Sequence, residues 1–296
     1  MSRKSGGSYL YAVLKLGKFT IALPVALTGF LGYFLHTPLL DKDAWLVISG
    51  VFLLSMGSGT LNQIQERETD ALMDRTRGRP IPAGKIKLRH AILISMIFSL
   101  AGVVILVLPG KPLAAAIGLF TLIWYNGVYT PLKRITAFAV FPGALIGALP
   151  PLIGWTAAGG SPWDLEILSV SFLLFVGQMP HYWLLLLKVG SQFRDAGLPV
   201  ITNLLLPRQI RNLSFIWIAA TAVIVLMLPV TPMMGNRLIS ALLIILSIGF
   251  LIRMFRLSYR GDLIQHWKKA FITVNLFYLV IILALIANKL VETTIY

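Results

Sequence analysis

Nine runs of about 17–25 apolar residues, each long enough to cross a bilayer as a helix, follow one another along this chain of 296 residues. They fall near 19–36, 44–63, 91–109, 112–129, 136–156, 166–187, 213–230, 238–254 and 270–288. With 57% of the residues hydrophobic and only 12% charged, the composition excludes a soluble globular domain and predicts an all-α integral membrane protein. No linker, low-complexity tract or shift of composition divides the chain, so residues 1–296 read as one membrane domain. There is no cysteine, which removes disulfides, thiolate chemistry and Cys-ligated metal.

The formal net charge of +15 is not spread as a nucleic-acid footprint. Alternating the termini and loops across nine spans puts 22 of the 26 basic residues on the N-terminal side and 4 on the other: Lys42, Lys111, Arg237 and Lys289. Basic residues accumulate in cytoplasmic loops, so the split predicts a cytoplasmic N-terminus and an external C-terminus. The head from Arg3 to Lys18 carries the charge of a signal peptide, but no small-residue cleavage site follows it, and the first run reads as a span.

Against this apolar background, four of the eleven acidic residues sit within nine positions: Glu66, Glu68, Asp70 and Asp74. Asn62, Glu66, Asp70 and Asp74 recur every fourth residue, which on a helix lines them along one face. Like charges so placed repel unless a cation lies among them. Oxygen ligands of this kind suit Mg²⁺, which is held by one or two carboxylates while substrate phosphates complete its shell. The arginines of Arg75-Thr76-Arg77-Gly78-Arg79 fit phosphates at the same place. A solvated loop or an i,i+4 salt-bridge ladder is the plainer alternative. A transporter would also show kinked helices and polar residues inside spans, but gives no reason for in-phase carboxylates followed by arginines. The cluster points to a diphosphate handled at a membrane surface.

The run Asn62…Asp70-Ala-Leu-Met-Asp74-Arg75-Thr76-Arg77-Gly78-Arg79-Pro80 resembles the first aspartate-rich motif of the UbiA superfamily of membrane prenyltransferases. Within that superfamily it is most similar to the protohaem IX farnesyltransferases, or haem O synthases. Three further stretches agree: Tyr125-Asn126-Gly127-Val128-Tyr129-Thr130 with Leu132-Lys133-Arg134, Pro150-Pro151…Gly154-Trp155, and Pro180-His181-Tyr182-Trp183 with Ala196-Gly197-Leu198-Pro199. The likeness covers roughly residues 20–205. It implies nine transmembrane helices in one bundle around a central cavity, in the bacterial cytoplasmic (inner) membrane, with the active site facing the cytoplasm. The implied reaction moves a farnesyl group from farnesyl diphosphate to a vinyl group of protohaem IX, giving haem O. Haem is then substrate, Mg²⁺ the cofactor, and haem-pathway or oxidase-assembly proteins the partners beside the lipid bilayer. A quinone-precursor ring as acceptor, or a weakly active haem- or lipid-binding relative, remains the alternative. Two positions depart from the family pattern. Glu66 stands where an Asp is usual, and Ser191-Gln192-Phe193 stands where the second motif carries an acidic pair and a Tyr.

On that resemblance Asp70, Asp74 and Glu66, with Asn62 as a neutral oxygen and Asp195 from the second loop, are the expected Mg²⁺ ligands. Asp70, Asp74 and Lys133 are the expected catalytic residues. Arg75, Arg79, Lys133 and Arg134 are the expected diphosphate contacts. His181, Tyr129 and Trp155 are expected to meet the acceptor, with Trp124, Tyr125 and Phe138 as further aromatic faces for a carbocation.

Overall fold

The computed structural model describes residues 5–231, 233–260 and 266–295, and all regular structure among them is helical. A short helix, α1 (Ser5–Leu16), precedes α2 (Phe19–His36), α3 (Lys42–Gln65) and the one-and-a-half-turn α4 (Arg67–Leu72). After α5 (Leu88–Val107), α6 (Pro112–Ile123) runs through a π-helical stretch, Trp124–Tyr129, into α7 (Thr130–Leu132). Then follow α8 (Val140–Ala157), α9 (Leu165–Asp195), α10 (Pro207–Met227), α11 (Arg237–Phe255) and α12 (Trp267–Ile295).

Among the described residues nine helical segments are long and apolar enough to span a membrane, one for each apolar run. Only their ends differ from the sequence reading. The third begins at Leu88 and the seventh at Pro207, each before its apolar run. Proline fits the first turn because its missing N–H would have had no helical partner, and the Leu206 N–H donates to Gln209 Oε1 at 2.8 Å. The sixth helix outruns its span, continuing past Leu187 to Asp195. The stretch 188–212 between the sixth and seventh apolar runs is therefore largely helix, and the part between helices α9 and α10 shrinks to 196–206.

Close backbone approach fixes the centre. α2 crosses α8 where Gly29 and Gly32 face Pro150, Pro151 and Gly154. A Cβ at Gly32 would lie 1.9 Å from the Pro151 carbonyl oxygen, and one at Gly154 only 1.8 Å from that of Gly29. Small residues let the helices touch, as lipid gives no hydrophobic drive for association between spans. The prolines at 150 and 151 thus have a packing role besides bending. α3 lies between α2 and α5, while α9 joins α8 to α10 and α12. At the end of the bundle that holds the basic loops, α1 folds over the termini of α3 and α5. Ala12 and Leu16 bury there against Ile64, Ile86 and Ala91.

Candidate active site

The polar end of α3 is the foundation. Asn62 and Gln63 are fully buried, and a buried amide needs partners. Gln63 Nε2 donates to the carbonyls of Lys15 (2.9 Å) and Leu16 (2.8 Å), satisfying the open end of α1. Asn62 Nδ2 donates to Thr130 Oγ1 at 3.0 Å, while its Oδ1 accepts from Lys18 Nζ at 2.5 Å. One side chain therefore ties the start of α2, the end of α3 and the end of the π-helical stretch.

The i,i+4 row survives the break between α3 and α4. Glu66 N–H reaches the Asn62 carbonyl (2.9 Å) and Asp70 N–H the Glu66 carbonyl (2.8 Å), so Asn62, Glu66 and Asp70 stay in phase. The row ends there. α4 stops at Leu72, Met73 is extended (φ −100°, ψ 129°), and the chain turns away. Asp74 does not join the other three: its side chain is 76% exposed and pairs with Arg77 at 3.1 Å.

Each inner carboxylate meets its own cation. Asp70, 1% exposed, accepts from Arg79 Nη1 with both oxygens, at 2.7 and 2.5 Å. Glu66, 12% exposed, pairs with Lys133 Nζ, and Arg79 lies 3.9 Å from its other oxygen. Burial alone would raise the Glu66 pKa, but Lys133, Lys18 and Arg79 hold it below the ordinary carboxylate value. At Asp70 burial wins over Arg79 and the pKa lies above the ordinary value. Burial would lower the Lys133 pKa, yet Glu66 raises it. Lys18 has no carboxylate contact of that quality; burial, then Arg79, bring it down to about 7.

These groups surround a pocket of about 70 Å³, lined by five cations (Lys18, Arg75, Arg79, Lys133 and Arg134) around Glu66 and Asp70, with Phe193 and Leu198 across from them. Lys18 also closes one end of a second, apolar cavity of about 140 Å³. That cavity runs between Val25, Val51, Leu54, Ile146 and Ile153, with Tyr125 beside Lys18 at its head. Tyr125 and Tyr129 stack at 5.5 Å, Lys18 Nζ lies 5.9 Å over the Tyr125 ring, and Lys133 Nζ 5.4 Å over that of Tyr129. The cationic pocket and the apolar cavity thus meet at Lys18.

Among the described residues no three His, Cys, Asp or Glu side chains converge as a metal cage. The pair Glu66 and Asp70 nonetheless fits Mg²⁺, which takes one or two carboxylates and completes its shell with phosphate and water. The second loop does not add a ligand. Asp195 is 73% exposed beside Arg194. Gln192 Oε1 instead accepts the Arg75 backbone N–H at 3.3 Å, joining the two loops, and the Arg75 guanidinium lies 5.8 Å from the Phe193 ring.

Of the expected acceptor residues, Tyr129 reaches the site and two do not. His181 turns to α12, where Nδ1 lies 3.2 Å from Asn275 Oδ1 and its ring rests on Phe271. Its neighbour on the helix, Tyr182, lies edge-on to Trp183 with ring centroids 6.0 Å apart and packs on the cluster around Met179. Trp155 sits at the opposite end of the bundle, against His36 at the end of α2, with Nε1 donating to Asp164 Oδ2 at 2.9 Å. The helical path from Val140 to Trp155 explains this: fifteen residues at about 1.5 Å each carry it roughly 22 Å away.

Lys18 is the residue that sequence reasoning passed over, because before the first span it looks like one more topology-setting charge. Among the described residues it alone of the non-glycines has positive φ (54°), a conformation that costs energy for a side chain with a Cβ.

The UbiA prenyltransferase family matches residues 22–286. A curated protoheme IX farnesyltransferase of Oleidesulfovibrio alaskensis is 33% identical over 286 residues, covering 97% of this chain and 99% of that protein. One from Geobacter sulfurreducens is 37% identical over 222 residues, 74% of this chain and 80% of that protein. The fold is shared with a solved UbiA homologue from Archaeoglobus fulgidus bound to GPP and Mg²⁺, with TM-score 0.66, 19% identity, and coverage of 93% of this chain and 99% of the other.

Proposed function

This chain belongs to the UbiA prenyltransferase family, and on that premise we propose that it transfers a farnesyl group from farnesyl diphosphate to a vinyl group of protohaem IX, giving haem O. The C–O bond to diphosphate breaks, the new C–C bond leaves a cation beside the porphyrin, and one water closes it as a hydroxyl with loss of a proton. The names of the two curated relatives supply the acceptor and the prenyl length. The observation that carries the reading is the pair of chambers, a cationic pocket and an apolar cavity with Lys18 between them. An allylic diphosphate has that same division, an anionic head and an apolar tail joined at the bond that breaks.

Arg75, Arg79, Lys133 and Arg134 receive the phosphate oxygens, and the apolar cavity takes the isoprenoid chain. Mg²⁺ held by Glu66 and Asp70 would add charge stabilisation to the departing diphosphate. Lys18 sits where head and tail meet, placed to neutralise charge on the oxygen that leaves. The stacked faces of Tyr125 and Tyr129 stabilise the positive charge left on the chain, and the bilayer around the cavity keeps water from capturing it. The protein acts as one multi-pass membrane domain in the bacterial inner membrane, with the pocket on the cytoplasmic side that the basic loops favour, where haem-pathway or oxidase-assembly partners would meet it.

Purified protein given protohaem IX and farnesyl diphosphate should release diphosphate and form farnesylated haem only with a divalent cation present. Transfer to a quinone-precursor ring with none to haem would replace this acceptor. A cysteine introduced at the exposed Lys85 should be labelled from the cytoplasmic side; external labelling would reverse the orientation.

A further inference from the structure

α11 and α12 leave a groove between them that farnesyl transfer does not use. Its floor is Phe250 stacked on Phe277, with centroids 3.9 Å apart and planes 4° from parallel. Ile245, Leu246, Leu276 and Val280 form the walls of a space of about 590 Å³. Gly249 opens it: a Cβ built there would meet no atom within 4 Å. Glycines at the crossings of other spans behave differently. Gly32, Gly102 and Gly154 would each bring a Cβ within 3 Å of a neighbouring helix backbone, so close packing accounts for them. It does not account for Gly249, although glycine weakens a helix interior relative to alanine.

The groove has a charged end. Arg253 lies one turn beyond Gly249, Lys269 one turn before Thr273, and both border the groove and are exposed. Neither belongs to any ion pair among the described residues. At about 1.5 Å per residue, Ile245 to Arg253 spans roughly 12 Å and Lys269 to Val280 roughly 16 Å. One leaflet of a hydrocarbon core about 30 Å thick has the same depth. The apolar channel thus runs from the bilayer middle to two cations that have no ion pair among the described residues, at headgroup level.

We infer that this groove binds one anionic phospholipid, its acyl chain over Gly249 on the Phe250–Phe277 floor and its phosphate between Arg253 and Lys269. The site is independent of the farnesyl-transfer reading. Phosphatidylglycerol and phosphatidylcholine with identical chains, titrated separately onto detergent-purified protein and followed by native mass spectrometry, test it. The native chain should retain one phosphatidylglycerol and hold phosphatidylcholine more weakly. Arg253→Gln/Lys269→Gln should weaken phosphatidylglycerol retention roughly thirtyfold, about fivefold for each surface charge removed. Gly249→Leu should abolish the adduct by filling the channel, with an unchanged circular dichroism spectrum and a melting transition no lower than native, since nothing lies within 4 Å of the new Cβ. Equal retention of the two lipids by the native chain, or native-like retention by either variant, overturns the proposal.

Discussion

The two loops that meet at the mouth of the charged pocket are built on different principles. The first, from Glu66 to Lys87, carries its inward carboxylates in compensated pairs: Asp70 with Arg79 and Glu66 with Lys133 of a neighbouring segment. It is also closed on itself, with the amides of Lys85 and Ile86 both reaching the Pro80 carbonyl and Gly84 turning at φ 68°. The second, made of the last turn of α9 and the residues just beyond it, brings to the pocket the apolar Phe193 and Leu198, and attaches by the neutral amide of Gln192. A buried carboxylate without a cation is costly, so the loop that supplies inward carboxylates must also be held against its counter-ions. A loop that only closes over the pocket needs no such framework. The difference teaches that here the ionic chemistry belongs to one loop and enclosure to the other, despite their similar places after the second and sixth spans.

The contrast can be broken most sharply at Asp70. Asp70→Asn keeps the shape and removes the charge, and should cut farnesyl transfer about a hundredfold or more, the equivalent of roughly 3 kcal/mol of lost electrostatic stabilisation. Retention of more than about a tenth of the native rate, in protein that elutes as a single folded species, would remove the first loop from the chemistry. Lys18→Met comes next. Turnover should fall about tenfold or more, with a modest loss of thermal stability because the buried Asn62 Oδ1 loses the donor that Lys18 gives it. An unchanged kcat would return Lys18 to a purely topological role.

Smaller effects separate latch from ligand in the second loop. Gln192→Ala removes one hydrogen bond worth about 1 kcal/mol. It should raise KM for farnesyl diphosphate roughly fivefold and leave the Mg²⁺ concentration for half-maximal rate unchanged. A shift in that concentration instead would make Gln192 a metal ligand. The least effect is expected at the two carboxylates that the fold turns outward: Asp74→Ala and Asp195→Ala should each stay within about twofold of native activity, as exposed ion pairs contribute little. Loss of activity in either would mean that substrate redraws its loop.

The sequence by itself determined the nine spans, their order, and the side on which the basic loops collect, because lipid forces long apolar segments into helices whatever they pack against. It also marked Asn62, Glu66 and Asp70 as one row, since helical periodicity is local and crosses the junction of α3 and α4. Tertiary structure decided the rest. Asp74 keeps the period in the sequence, but the extended backbone at Met73 takes it out of phase. Trp155 and His181 look like site aromatics in sequence, yet rise along one helix and rotation about another carry them to Asp164 and Asn275. Lys18 looks like any boundary charge until three helices converge on it. Periodicity specifies which residues share a face; only the packing of faces specifies what each one meets.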